Sequence, residues 1–239
     1  MVVSVEGARM GVGILGNIMS LSLFLSPVAT MLRICKRRSV ESFSPLPYLA
    51  IFINCLLWCI YALPMVRPHR LLVITIDGCG VLIELSYLII FLIFSTGKQR
   101  TLTLLIFLFQ FLFAAGVAIY VLIGVHAHQK RLLLVGSLCV FSSTMVYLAP
   151  LSVMAMVIRT KSVEFMPLSL SLTSFLNAIC WTAYALLRFD LFITIPNGLG
   201  AVLALGQLIL YAAFYKSTQQ QLLERRTTAA LTETAYTNA

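Results

Sequence analysis

Charge is what this sequence has least of. Of its 239 residues, 10% are Asp, Glu, Lys or Arg and 60% are hydrophobic. A soluble domain carries about a quarter charged residues, so no polar outer face is left here to cover a core in water. Chemical motifs are also missing. The six cysteines (Cys35, Cys55, Cys59, Cys79, Cys139, Cys180) form no C-x-x-C pair, and most fall inside apolar runs, where they read as small hydrophobes. His69, His126 and His128 lie between those runs, and no Ser–His–Asp set or zinc spacing is present. Neither an enzyme nor a metal or other cofactor is expected. The chain starts MVVSVEGAR, without a basic leader, and its first apolar run is too long for a signal-peptide core, so no cleaved leader is expected. The formal charge of +9 is spread between apolar runs rather than gathered in one patch. That distribution fits membrane topology and not nucleic acid.

Uncharged runs are what the sequence has in abundance. Met10–Leu32, Ser42–Val66, Thr101–Val125, Leu132–Ile158, Phe165–Leu187 and Leu191–Tyr215 hold no charge, and Leu71–Gly97 holds only Asp77 and Glu84. About 20 helical residues cross the hydrocarbon of a bilayer. Lipid offers no partner to a free backbone amide, so helices are the expected form. Barrel strands would be shorter and alternating. Seven spans put the two ends of the chain on opposite sides. The loops and tail on the side of residues 33–41 carry eleven Lys and Arg against six on the other. The excess predicts a cytosolic C-terminus and an external N-terminus. The tail 216–239, rich in Thr and Gln, reads as disordered.

The sequence repeats. Leu25-Ser26-Pro27 returns as Leu148-Ala149-Pro150, and Arg38-Ser39-Val40-Glu41 as Lys161-Ser162-Val163-Glu164. Asn54-x3-Trp58-x2-Tyr61-Ala62-Leu63 returns as Asn177-x3-Trp181-x2-Tyr184-Ala185-Leu186, all at an offset of 123. Asp77-Gly78-x-Gly80 answers Asn197-Gly198-x-Gly200 at 120. The expected fold is therefore all-α and membrane-embedded. Its seven transmembrane helices form a 3+1+3 arrangement of two parallel three-helix bundles, 10–97 and 132–215. The span 101–125 links them, and its odd count restores the orientation of the second copy.

The repeated residues carry a chemistry. Pro27 and Pro150 each remove one helical hydrogen bond and free the carbonyls of Leu23 and Val146. Pro47 and Pro167 stand near the starts of the second and sixth spans. Asn54, Asn177, Asn197 and Asp77 are polar groups at mid-helix that must find partners. Helix–helix bonding would satisfy each of them, but their symmetric placement favours one shared polar site, and sugar hydroxyls donate and accept as amides do. Trp58 and Trp181, the only tryptophans, follow Asn54 and Asn177 by one turn. An interfacial belt would account for them, whereas a repeated mid-span position suits a stacking pair narrow enough for a hexose, lined as well by Leu23 and Val146.

In these motifs, and in the LNAICWTAYAL and PNGLG segments, the chain resembles the SWEET sugar transporters over residues 10–215. It is similar to the plant members, and its NCLLW and ICWTAYAL segments look like those of the hexose-preferring group. That family is an established example of parallel repeats. The resemblance implies energy-independent uniport of a hexose such as glucose by alternating access, at the plasma membrane, with a possible homotrimer. It also implies that Asp77 and Asn197 hold the positions of sugar-binding asparagines. Pro27, Pro47, Pro150 and Pro167 match cytosolic hinges, and Tyr61, Tyr184 and Asp190 match external gate positions. Arg67 or Arg70 would pair with Asp190 on closure. The family pattern has Asn where this chain has Asp77. Competing readings are a seven-helix receptor, which has no internal repeat, and a proline-glutamine-loop type transporter of another small solute.

Overall fold

Prolines punctuate this structure. A computed structural model describes residues 4–237, with side chains to 231, and its described residues form helices joined by short loops. The first span is two helices, α1 (Val5–Leu25) and α2 (Val28–Arg37), separated at Ser26-Pro27. The short apolar helix α3 (Leu46–Tyr61) begins at Pro45-Leu46-Pro47 and ends before Pro64. Next come α4 (Leu71–Phe94) and α5 (Gly97–Ile119), the latter closing in a π turn at Tyr120–Gly124. The fifth span breaks as the first does, into α6 (His128–Val146) and α7 (Leu148–Thr160). It is followed by α8 (Leu168–Leu187) and α9 (Leu191–Thr237). Among the described residues, six helical stretches are long and apolar enough to cross a membrane, and α3 is a shorter apolar one.

Pro27 and Pro150 sit where a missing N–H costs little, whereas Pro196 lies inside α9. Pro27 caps α2, and Pro150 lies in the first turn of α7. One expectation is corrected here. The carbonyl of Leu23 is not free: Ser26 donates to it from both its N–H (3.1 Å) and its hydroxyl (2.8 Å). A second correction concerns the tail. Residues 216–237 continue α9 as helix instead of coil. The stretch holds no Gly or Pro, and it extends a helix that has already nucleated. It also finds partners. Thr218 accepts the Val163 N–H at 2.8 Å, and Gln221 donates to the carbonyls of Thr160 and Lys161.

The repeat is visible in the backbone. Arg38 and Lys161, 123 residues apart, end α2 and α7 in the left-handed conformation, at φ of 51° and 55°. Packing repeats as well. Within the first half α4 touches α1 and α3, and within the second α9 touches α6 and α8. Across the halves α1 packs on α8, and α3 on α6. The small residues Gly13, Gly16 and Ser20 make the first contact close, since a Cβ at Gly13 would lie 2.9 Å from the Tyr184 ring and one at Gly16 3.1 Å from Trp181. α5 has no counterpart in the repeat and lies against α3 and α4.

Candidate functional site

Because α1 meets α8 and α3 meets α6, the four polar mid-helix positions converge. They surround a cavity of about 300 Å³ between the halves. Asn54, Trp58, Asp77, Asn177, Trp181, Asn197, Leu23 and Val146 all line it. The lining follows the repeat: Ser20, Leu23 and Phe24 answer Ser143, Val146 and Tyr147, while Ile51, Asn54 and Trp58 answer Ser174, Asn177 and Trp181.

The polarity of the walls is fixed by the indoles. An indole N–H only donates. Trp58 Nε1 donates to Ser143 Oγ (3.1 Å), whose own proton goes on to Asn54 Oδ1 (2.9 Å). Trp181 Nε1 donates to Ser20 Oγ (3.0 Å), which passes to Asn177 Oδ1 (2.7 Å). Each amide oxygen is thus occupied, and each amide nitrogen keeps its donors for a guest. Asn197 is turned the other way. Its Nδ2 donates to the Ile193 carbonyl at 2.8 Å, leaving its oxygen as acceptor. Asp77, its partner in the repeat, adds carboxyl oxygens opposite. Donors and acceptors are therefore both presented to a largely apolar chamber. Sequence reasoning missed the two serines, although Ser20 and Ser143 are related by the same 123 residues.

One end of the cavity is sealed. Asp190 is 2% exposed. It accepts from Tyr61 Oη (2.6 Å), Arg67 Nε (3.1 Å), Arg70 Nε (3.1 Å) and Arg70 Nη2 (2.5 Å). The expectation named Arg67 or Arg70, and both pair with it. Asp190 and Arg70 stand at equivalent positions, each preceding the third helix of its half, so equal places carry opposite charges. Burial alone would push the Asp190 carboxyl up, but the hydrogen bonds from Tyr61 and Arg70 and the charges of both arginines outweigh it and hold the carboxyl below its ordinary value. Tyr184 is not bonded to Asp190. Its hydroxyl accepts from Arg9 Nη2 (2.7 Å), and the Arg9 guanidinium lies 4.2 Å from the ring centre. Arg9, which precedes the first uncharged run, is 3% exposed. Both Trp58–Tyr61 and Trp181–Tyr184 are edge-to-face pairs, joining the seal to the chamber.

Toward the other end the cavity extends along α9 to Leu203 and Gln207. Of the four repeated prolines only Pro150 lines it. Pro47 and Pro167 stand at the starts of α3 and α8 instead.

This architecture has known counterparts. A family of sugar efflux transporters for intercellular exchange matches residues 10–99 and again 133–219. The chain belongs to the SWEET family. That family is one of transporters and not of enzymes, which sets aside the receptor alternative. The chain is 55% identical to the bidirectional sugar transporter SWEET4 of Oryza sativa subsp. indica, over 94% of this chain and 86% of that one. It is 52% identical to the bidirectional sugar transporter SWEET7 of Arabidopsis thaliana, over 90% and 83%. A solved eukaryotic SWEET transporter superposes with a TM-score of 0.85 at 38% identity, covering 89% of this chain and 99% of that chain.

Proposed function

We propose that this protein is a passive, bidirectional carrier of hexoses such as glucose, working by alternating access. The observation that supports the reading most is the repeated Trp–Ser–Asn relay, which sets two indoles and four polar groups around one chamber closed at the Asp190 end. At about 300 Å³ the chamber is at the small end of the range for small-molecule sites, and it suits one sugar ring better than two. Asn54, Asn177, Asn197 and Asp77 bind the hydroxyls, Trp58 and Trp181 stack on the ring, and Leu23 and Val146 complete the walls. Tyr61, Tyr184 and Asp190 form one gate. Pro27, Pro47, Pro150 and Pro167 are the hinges of the other. In this reading the chain is two three-helix units, 10–97 and 132–215, joined by 101–125 as a 3+1+3 bundle. It works in the plasma membrane with the N-terminus and the Asp190 gate outside, the tail in the cytosol, and a homotrimer as its assembly. Labelled glucose is expected to equilibrate into liposomes holding the pure protein, at a rate unchanged by protonophores. Uptake that stops when the proton gradient collapses would overturn the passive reading.

Asp77 allows a sharper expectation. Asn197 uses its amide N–H on its own helix, a bond that an ionised Asp77 has no donor to make. A neutral carboxyl has one donor and mimics much of the amide. The KM for sugar, with equal pH on both sides, is therefore expected to rise with pH. Asp77→Asn is expected to keep or raise transport and to flatten that dependence. A well-folded Asp77→Asn protein without transport would refute this role and indicate a specific need for the acid.

A further inference from the structure

Two seams join the halves, and Asp190 closes the sealed end at one of them. Tyr61 of α3 holds Asp190, and the ring of Phe192, two residues on, lies against Gly136 of α6 and 6.1 Å from that of Tyr61. The other seam, of α1 with α8, rests on four buried residues of one α1 face: Arg9, Gly13, Gly16 and Ser20. Arg9 and Gly13 receive the Tyr184 ring, and Gly16 and Ser20 the Trp181 indole. At the offset of 123 their equivalents on α6 are Leu132, Gly136, Cys139 and Ser143. Three of these places stay small. At the fourth, α6 has a leucine where α1 has a charge.

That charge is incompletely met. Arg9 Nη1 reaches Glu6, itself largely exposed, at 3.2 Å. Nη2 donates to Tyr184 Oη at 2.7 Å, and Nε has no hydrogen-bond partner among the described residues. The Tyr184 ring also faces Arg70, whose guanidinium lies 5.8 Å from the ring centre and binds Asp190. Tyr184 thus connects Arg9 to the Asp190 network.

Resting on the alternating-access reading above, we propose that Arg9 is a positioning residue of the Asp190 gate: a second latch, which closes the α1–α8 seam through the Tyr184 hydroxyl as Asp190 closes the α3–α6 seam. Arg9 is not among the residues that line the chamber, so it acts on the gate and not on the sugar. When the halves part at this end, water reaches Nη2 and Nε, and the guanidinium costs little. In the sealed conformation it stays buried, and the Tyr184 hydroxyl meets Nη2 in place of water. The balance of the gate therefore depends on that hydroxyl while the charge is present, and ceases to depend on it once the charge is gone.

The test is made without sugar. Ile193→Cys places a thiol in the cavity wall, three residues after Asp190. An impermeant maleimide applied from the Asp190 side reports opening by mass spectrometry at that position. Tyr184→Phe keeps the ring and removes only the hydroxyl. It is expected to raise labelling on the order of tenfold, the worth of one hydrogen bond to a charged group. In an Arg9→Leu background, with the residue that α6 carries at this place, the same change is expected to leave labelling where it was. Labelling that Tyr184→Phe raises equally in both backgrounds, or in neither, overturns the proposal. A second measure keeps Arg9 and Tyr184 intact. Phenylglyoxal, which modifies accessible guanidinium groups, is expected to reach Arg9 severalfold faster once Asp190→Ala has released the other latch. Arg9 still protected in an Asp190→Ala chain whose Ile193→Cys thiol is labelled overturns the proposal. Labelling and protection that follow these expectations in a protein that exchanges no sugar would refute the carrier reading instead.

Discussion

Asp190→Ala is expected to lower hexose exchange by about tenfold or more while the protein stays folded. The substitution leaves Arg70, itself 3% exposed, as a buried charge without its carboxylate. Removing one member of a buried pair costs about 3–5 kcal/mol, and that cost falls on the conformation sealed at this end. The balance between conformations then moves by a factor of about 100 or more, and a carrier held open on one side cycles slowly. Counterflow of labelled glucose measures the rate, and maleimide labelling of Ile193→Cys reads the opening. Normal counterflow with unchanged labelling would show that the network is not a gate. The same network has a predictable response to acid. A carboxyl held below its ordinary value stabilises the sealed conformation at every pH above that ordinary value, about 3.9. The contribution is lost only as pH falls through the lowered one. The seal is therefore expected to hold at neutral and mildly acidic pH and to loosen only in strong acid.

Replacing both indoles is expected to have an effect as large by another route. Trp58→Ala with Trp181→Ala removes the stacking faces and also cuts both serine relays, which lets the Asn54 and Asn177 amides turn. Central aromatic anchors are worth about 2 kcal/mol or more each, so hexose binding is expected to weaken by two to three orders of magnitude. Trp→Phe at each position separates the two contributions, since it keeps a ring and removes only the N–H. Calorimetric titration of glucose into the purified variants checks the loss. Native affinity in the double Ala variant would end the stacking role.

Much of this was legible because the chain states its design twice. The offset of 123 paired Asn54 with Asn177 and Trp58 with Trp181 before any geometry was known, and the uncharged runs placed the spans. What escaped had local causes. A serine in a helix can satisfy itself on its own backbone, so Ser20 and Ser143 gave no signal of need. Arg9 gave no sign of a partner because it only precedes the first uncharged run, whereas the Tyr184 hydroxyl and ring hold it inside. The expected span Ser42–Val66 shrank to Leu46–Tyr61 because prolines bound it on both sides. The tail looked unstructured from its Thr and Gln content, but its partners on residues 160–163 lie far away in sequence.

The brevity of α3 sets how the protein meets its solvent. Its 16 residues span about 24 Å, less than the roughly 30 Å of a bilayer's hydrocarbon. Between Tyr48 and Tyr61 none of its side chains is exposed, because α4, α5 and α6 enclose it. A helix largely enclosed by protein has little thickness to match. The depth of Asn54 and Trp58 is therefore set mainly by protein packing, while membranes of different thickness strain the outer helices, α5 above all, by tilting them.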